Sequence, residues 1–184
     1  MSKGATARSR SVARLCAVQA LYELDITGAP VDPVLTMFMQ DRWDLAGGVA
    51  GDGDLDDDDD AAFARPRPVL PPAKMKRPET GLLADLVRGV EARRGELDEM
   101  LMGGLEQDRP VARLEVLVRA ILRAGAYELL TQAKTPAKVV ITEYVDVARS
   151  FFTGPEPGLV NAVLDKLARV LRAEEFEDTR PRGA

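Results

Sequence analysis

Four cations, Lys3, Arg8, Arg10 and Arg14, precede Glu23, the first acid of the chain. With a net charge of −5 overall, the start of the chain is a local reversal of sign. Guanidinium groups beside a rigid element are suited to gripping phosphate, because their planar donors meet two oxygens at once. Arg10 and Arg14 lie four residues apart and so share one helical face. Lys3 and Arg8 precede them, and unpaired N–H groups at a helix start would add to the grip. The plainer alternative is a solvated basic tail in which Arg14 pairs with a distant acid.

Tyr22 stands two turns beyond Arg14, on the wheel face of Val12, Leu15 and Gln19. It is either a core tyrosine or a ring at the core's edge that offers a face or hydroxyl to an unstacked base. In LVNAVLDKLARVL, Asn161 and Asp165 share an exposed face with Lys166 beside them. Asn161 has the donors and acceptors to read a base edge or to bridge backbone groups. Asp165 and Arg169 have the spacing of a helical ion pair. Cys16 occupies an apolar helical position with no base in view, which favours packing over reactivity.

Other chemistries are narrowed by what is missing. The chain has no histidine and one cysteine. That removes Ser-His-Asp and Cys-His catalysis, His/Cys zinc sites and internal disulfides. Enzyme activity is not expected, nor is a cofactor or a metal. No apolar run approaches the roughly 20 residues that span a bilayer, and no secretory h-region follows the basic start. A single thiol suits a reducing, cytoplasmic setting.

The elements that would position these residues are helical. Aromatics are 5% of the chain, so aliphatic packing must dominate. Residues 7–27 carry Val12, Leu15, Cys16, Val18, Leu21 and Tyr22. Val34, Leu35, Phe38 and Met39 mark a short second helix after Pro33, and residues 82–90 mark a third. Leu97, Met100 and Leu101 mark a fourth, separate from or continuous with the third. A fifth is expected from Pro110 through YELL. Thr135-Pro136 reads as an N-cap and first-turn pair opening a sixth that runs through Phe152. The last carries Leu159, Val160, Val163, Leu164, Leu167, Val170 and Leu171. The fold class is therefore all-α, with about seven helices in two small packed bundles.

Residues 44–79 break the pattern. DGDLDDDDD is followed by five prolines among Arg65, Arg67, Lys74, Lys76 and Arg77. Such a stretch buries too little apolar area to offset its ordering entropy, so a disordered insertion, acidic and then Pro-rich, is expected within one 1–184 domain. A calcium loop opening at Asp52 would need Gly at its sixth position and Glu at its twelfth, where Asp57 and Phe63 stand.

Three segments together, ARSRSVARLCAVQALY, ILRAGAYELL, and PAKVVITEYVDVARSF with LVNAVLDKLARVL, resemble the NusB family of bacterial transcription antitermination factors. Their order and spacing fit over most of the chain outside 44–79. The resemblance implies an all-helical RNA-binding protein without enzymatic activity. Family members bind boxA, a short single-stranded RNA element of nascent ribosomal RNA leaders, together with a ribosomal small-subunit protein acting as NusE. The complex joins RNA polymerase and other Nus factors and suppresses premature termination. The arginine-rich start and following tyrosine of the family match Arg8, Arg10, Arg14 and Tyr22, and its RNA-touching segment before VLDK points to Leu159 and Asn161.

The chain departs from the family at three positions. Leu159 replaces a usual aromatic, Thr142 a frequent Asn, and Val118 an acidic residue of the partner-binding face. Two other functions compete: the NusB-like domain of an RNA cytosine methyltransferase, and a helical adaptor that binds only protein. Against the first, no Rossmann-like continuation follows up to Ala184, and a second Cys for covalent pyrimidine chemistry is missing.

Overall fold

The structure, a computed structural model, describes residues 3–41, 77–105 and 110–177. Among them the regular elements are all helical. Helix α1 (Lys3–Thr27) buries Val12, Ala13, Cys16, Ala17, Ala20, Leu21 and Leu24 along one stripe. It ends at Gly28, whose φ of 65° a side chain would resist and whose N–H closes on the Leu24 carbonyl at 2.9 Å. Helix α2 (Val31–Thr36) continues into a π-helical turn (Met37–Asp41), burying Val34, Leu35 and Phe38. Helices α3 (Thr80–Ala92) and α4 (Arg94–Gly104) are separate, broken at Arg93.

A 3-10 turn (Val111–Arg113) leads to α5 (Val116–Thr131), then α6 (Ala137–Arg149), α7 (Glu156–Leu171) and the short α8 (Glu174–Glu177). Helix α5 is buried on nearly every side from Val118 to Leu129 and packs against α1, α3, α4, α6 and α7. An enclosed helix must pair its polar groups, and Arg119, Arg123 and Glu128 of this one are all in ion pairs. Helices α1, α2 and α3 pack together, with α1 and α3 on α5, and α4 and α6 pack on α7 and on α5, giving the two bundles. Glycine permits the close approach: a Cβ on Gly125 would stand 2.7 Å from Leu164 and 3.3 Å from Tyr144.

Several sequence expectations need correction. Thr135 does not cap α6. The helix starts after Pro136, and its first free N–H, that of Ala137, donates to Glu175 Oε2 at 2.7 Å. Helix α5 starts at Val116 rather than Pro110, because the Glu115 carboxylate accepts from Val118 N at 2.9 Å and caps it there. Helix α6 ends at Arg149, before Phe152, and α7 opens at Glu156, inside the expected stop. Of the expected 44–79 insertion, residues 44–76 lie outside the described residues. Its last three residues belong to the fold: Pro78 is buried, and Glu79 caps α3 by accepting from Leu82 N at 3.2 Å.

Candidate nucleic-acid interface

The N-terminal part of α1 is flanked by two other segments. On one side Ser9 Oγ donates to the Arg77 carbonyl at 2.8 Å, and Glu79 N donates to the Ser9 carbonyl at 3.1 Å. On the other, Arg10 Nη2 donates to Thr135 Oγ1 at 3.0 Å. The Thr135 hydroxyl is therefore committed to Arg10. The Arg10 Nε is buried with no hydrogen-bond partner, and no carboxylate pairs with this guanidinium among the described residues. Arg8, two residues earlier, is exposed. Lys3 lies in the first turn of α1.

Arg14 is placed otherwise than a phosphate grip requires. It is 2% exposed. Its Nε and Nη2 donate to the two oxygens of Glu128 at 2.9 and 2.6 Å, and Nη1 lies 3.2 Å from Glu143 Oε2. Burial works to lower the Arg14 pKa, but the hydrogen bonds and charge of Glu128 outweigh it and hold the guanidinium above its ordinary value. The Tyr144 hydroxyl also donates to Glu128, at 3.0 Å, and is pushed well above the usual phenol range by burial and then by the Glu128 charge. Arg14 thus pins α1 to α5 and α6. The four-residue spacing that put Arg10 and Arg14 on one face could not tell that a buried acid waits beneath only the second.

The same corner is closed from below by Arg172. Its Nε and Nη2 donate to the carbonyls of Leu129 and Glu128 at 2.7 and 3.1 Å, satisfying the last turn of α5, and Nη1 donates to the Thr135 carbonyl at 2.5 Å. So the turn that holds Thr135 against Arg10 is itself fixed. Glu128 and Arg172 escaped the sequence reading, and Thr135 was read only as a helix cap. The one available signal was a lone acid, Glu128, between apolar neighbours in YELL.

The other expected residues lie apart from this corner. Helices α1 and α6 run in the same sense where they meet, since Arg10 meets Thr135 before α6 and Arg14 meets Glu143 within it. Tyr22 is half-buried and about 18 Å beyond Arg10 along α1, at 1.5 Å per residue. Leu159 is partly buried against the core and Asn161 is exposed, both in the first turns of α7. Arg172, just past α7, reaches Thr135, just before α6, so α7 runs back along α6 and its start lies at the end remote from Thr135. The expected contacts form a track with two ends rather than one cluster. Asp165 pairs with Arg169 at 2.7 Å, and Cys16 is buried. Val118 is 2% exposed and belongs to the core. No group of residues suited to a metal and no helix long and apolar enough to cross a membrane occurs among the described residues.

Comparison with known proteins places the chain. The sequence profile of the NusB family matches residues 49–169. The transcription antitermination protein NusB of Rhodospirillum rubrum is 46% identical over 167 residues, covering 90% of this chain and 86% of its own length. The protein of that name from Caulobacter vibrioides is 39% identical, with 89% of this chain and 94% of its own length covered. Among solved structures, T. maritima NusB superposes with a TM-score of 0.65 at 20% identity, over 91% of this chain and 96% of that one, which bears on the fold alone.

Proposed function

The chain belongs to the NusB family of transcription antitermination proteins, and from that membership we propose that it binds a boxA-like single-stranded element of nascent ribosomal RNA leaders. It does so with a ribosomal small-subunit protein acting as NusE, in a complex of RNA polymerase and other Nus factors that reads through terminators. The observation that carries this reading is Arg10, a cation fixed by a neutral hydroxyl at the edge of the fold, beside exposed Arg8. A guanidinium that faces no carboxylate leaves its field open to an incoming phosphate. Arg8 and Arg10, with Lys3, hold the backbone at one end of the track. Tyr22 and Asn161 meet bases at the other, with Leu159 packing beside them. Arg14 positions the helix that carries the grip. The 1–184 chain acts as one domain, as a binding protein without enzymatic activity or a cofactor.

Anisotropy of a labelled boxA-like RNA, titrated with this protein with and without the ribosomal partner, tests the reading. Saturable binding that tightens with the partner is expected, with a scrambled RNA bound more weakly. Equal affinity for the boxA-like and scrambled RNAs in both conditions would overturn it.

A further inference from the structure

The Arg10–Thr135 bond brings the turn between α5 and α6 against the basic end of α1. Two lysines flank buried Thr135 in that segment: Lys134 immediately before it, and Lys138 in the first turn of α6. Both are exposed, and neither is in an ion pair among the described residues. The positions that Lys138 reaches along its own helix, Ile141 and Thr142, carry no acid. Three carboxylates near the corner have other partners. Glu175 accepts from Ala137 N and from Arg172, Glu143 faces Arg14, and Asp85 accepts from Tyr127 and Gln132. Four cations from two segments therefore surround one fixed contact, and none of them is in an ion pair among the described residues.

We propose that Lys134 and Lys138 form a second bank of the RNA surface, holding backbone phosphates opposite Arg8 and Arg10. This rests on the RNA-binding reading above and assigns it two further binding residues. An ammonium on a flexible stem acts on phosphate as a point charge, so these lysines add affinity and salt dependence without selecting a base. The turn that bears them is held by Arg172, so the bank is positioned before RNA arrives.

The test is the salt dependence of binding by the full chain, using the boxA-like RNA and its scrambled counterpart. In Lys134→Ala/Lys138→Ala the log–log slope falls by about 0.7 for each phosphate no longer neutralised, and affinity falls by the same factor for both RNAs. The melting temperature stays at the parental value because both side chains are exposed. Lys134→Arg/Lys138→Arg keeps the slope. Arg88→Ala, which removes a charge paired with Asp32 at the far end of α1, leaves it unchanged. A parental slope in the double alanine variant, alongside normal binding by the parent, would overturn the second bank while leaving the RNA reading intact. An equal fall with Arg88→Ala would assign the effect to net charge and overturn it too. Failure of the parent itself to bind would remove the RNA reading and this inference together.

Discussion

The two ends of α1 are both rich in arginine and are wired in opposite ways. At the C-terminal end, the Asp25 side chain is almost fully buried and pairs with three arginines. Arg119 lies at 3.1 Å and Arg123 at 3.0 Å, and Arg94 completes the set. Arg123 also meets Asp98 at 2.8 Å, and Arg94 meets Glu91 at 2.8 Å. Each guanidinium there is balanced by carboxylates, and the cluster joins α1, α4 and α5. At the N-terminal end, Arg10 is held by a hydroxyl and Arg8 is exposed. The number of cations does not separate scaffold from binding surface. Under the proposed function the presence of a facing carboxylate does, because a paired guanidinium has its donors occupied and its field cancelled.

Substitutions break this comparison by different amounts. The largest effect is expected at Arg14, which lies near the binding end but is wired like the other. Arg14→Ala leaves Glu128 buried without its cation, and should cost about 3–5 kcal/mol of stability in a urea titration. Affinity per folded molecule should fall only through the altered seating of α1.

Asp25→Ala, at the opposite end, leaves three arginines facing one another. Two of them are partly exposed, so water screens part of the repulsion and the cost should be smaller, about 2 kcal/mol. RNA affinity of the folded fraction should not change. A loss of binding without loss of stability would overturn the assignment of this cluster to the scaffold.

Tyr22 sharpens the far end of the track. If its ring stacks on a base, Tyr22→Leu should lose about 1–3 kcal/mol of RNA binding while Tyr22→Phe binds nearly normally. Paired anisotropy and melting measurements separate this from a packing role, in which binding would fall only in step with folding.

The smallest effect is one of pH. Burial beside Glu128 raises the Tyr144 hydroxyl well above its value in the unfolded chain. A group raised on folding contributes stability that is complete below its unfolded pKa and is lost as pH climbs from there toward its folded pKa. Stability should therefore decline above about pH 10, the ordinary phenol value, and Tyr144→Phe should decline less steeply. Part of the slope should persist through Tyr127, which burial and Asp85 also raise.

How far the sequence could be read follows from the range of each signal. Helical spacing of aliphatic residues is local, and it revealed every long helix and the all-α class. Helix starts were less legible, because the groups that cap them are partly remote. Glu115 lies within its own turn, but the acid that meets Ala137 is Glu175, far along the chain. The basic start of α1 was visible as composition. The division of labour within it was not, since Arg10 and Arg14 have the same residue type and the same helical face. Glu128 and Thr135, which separate them, lie more than a hundred residues away.

The central claim is that the carboxylate-free end of α1 is the RNA grip, and the salt dependence of binding tests it most directly. For Arg8→Ala/Arg10→Ala, the slope of log affinity against log salt should fall by about 0.7 per phosphate no longer gripped, with the fold intact by circular dichroism. A slope equal to that of the parent would contradict the account, even if affinity fell.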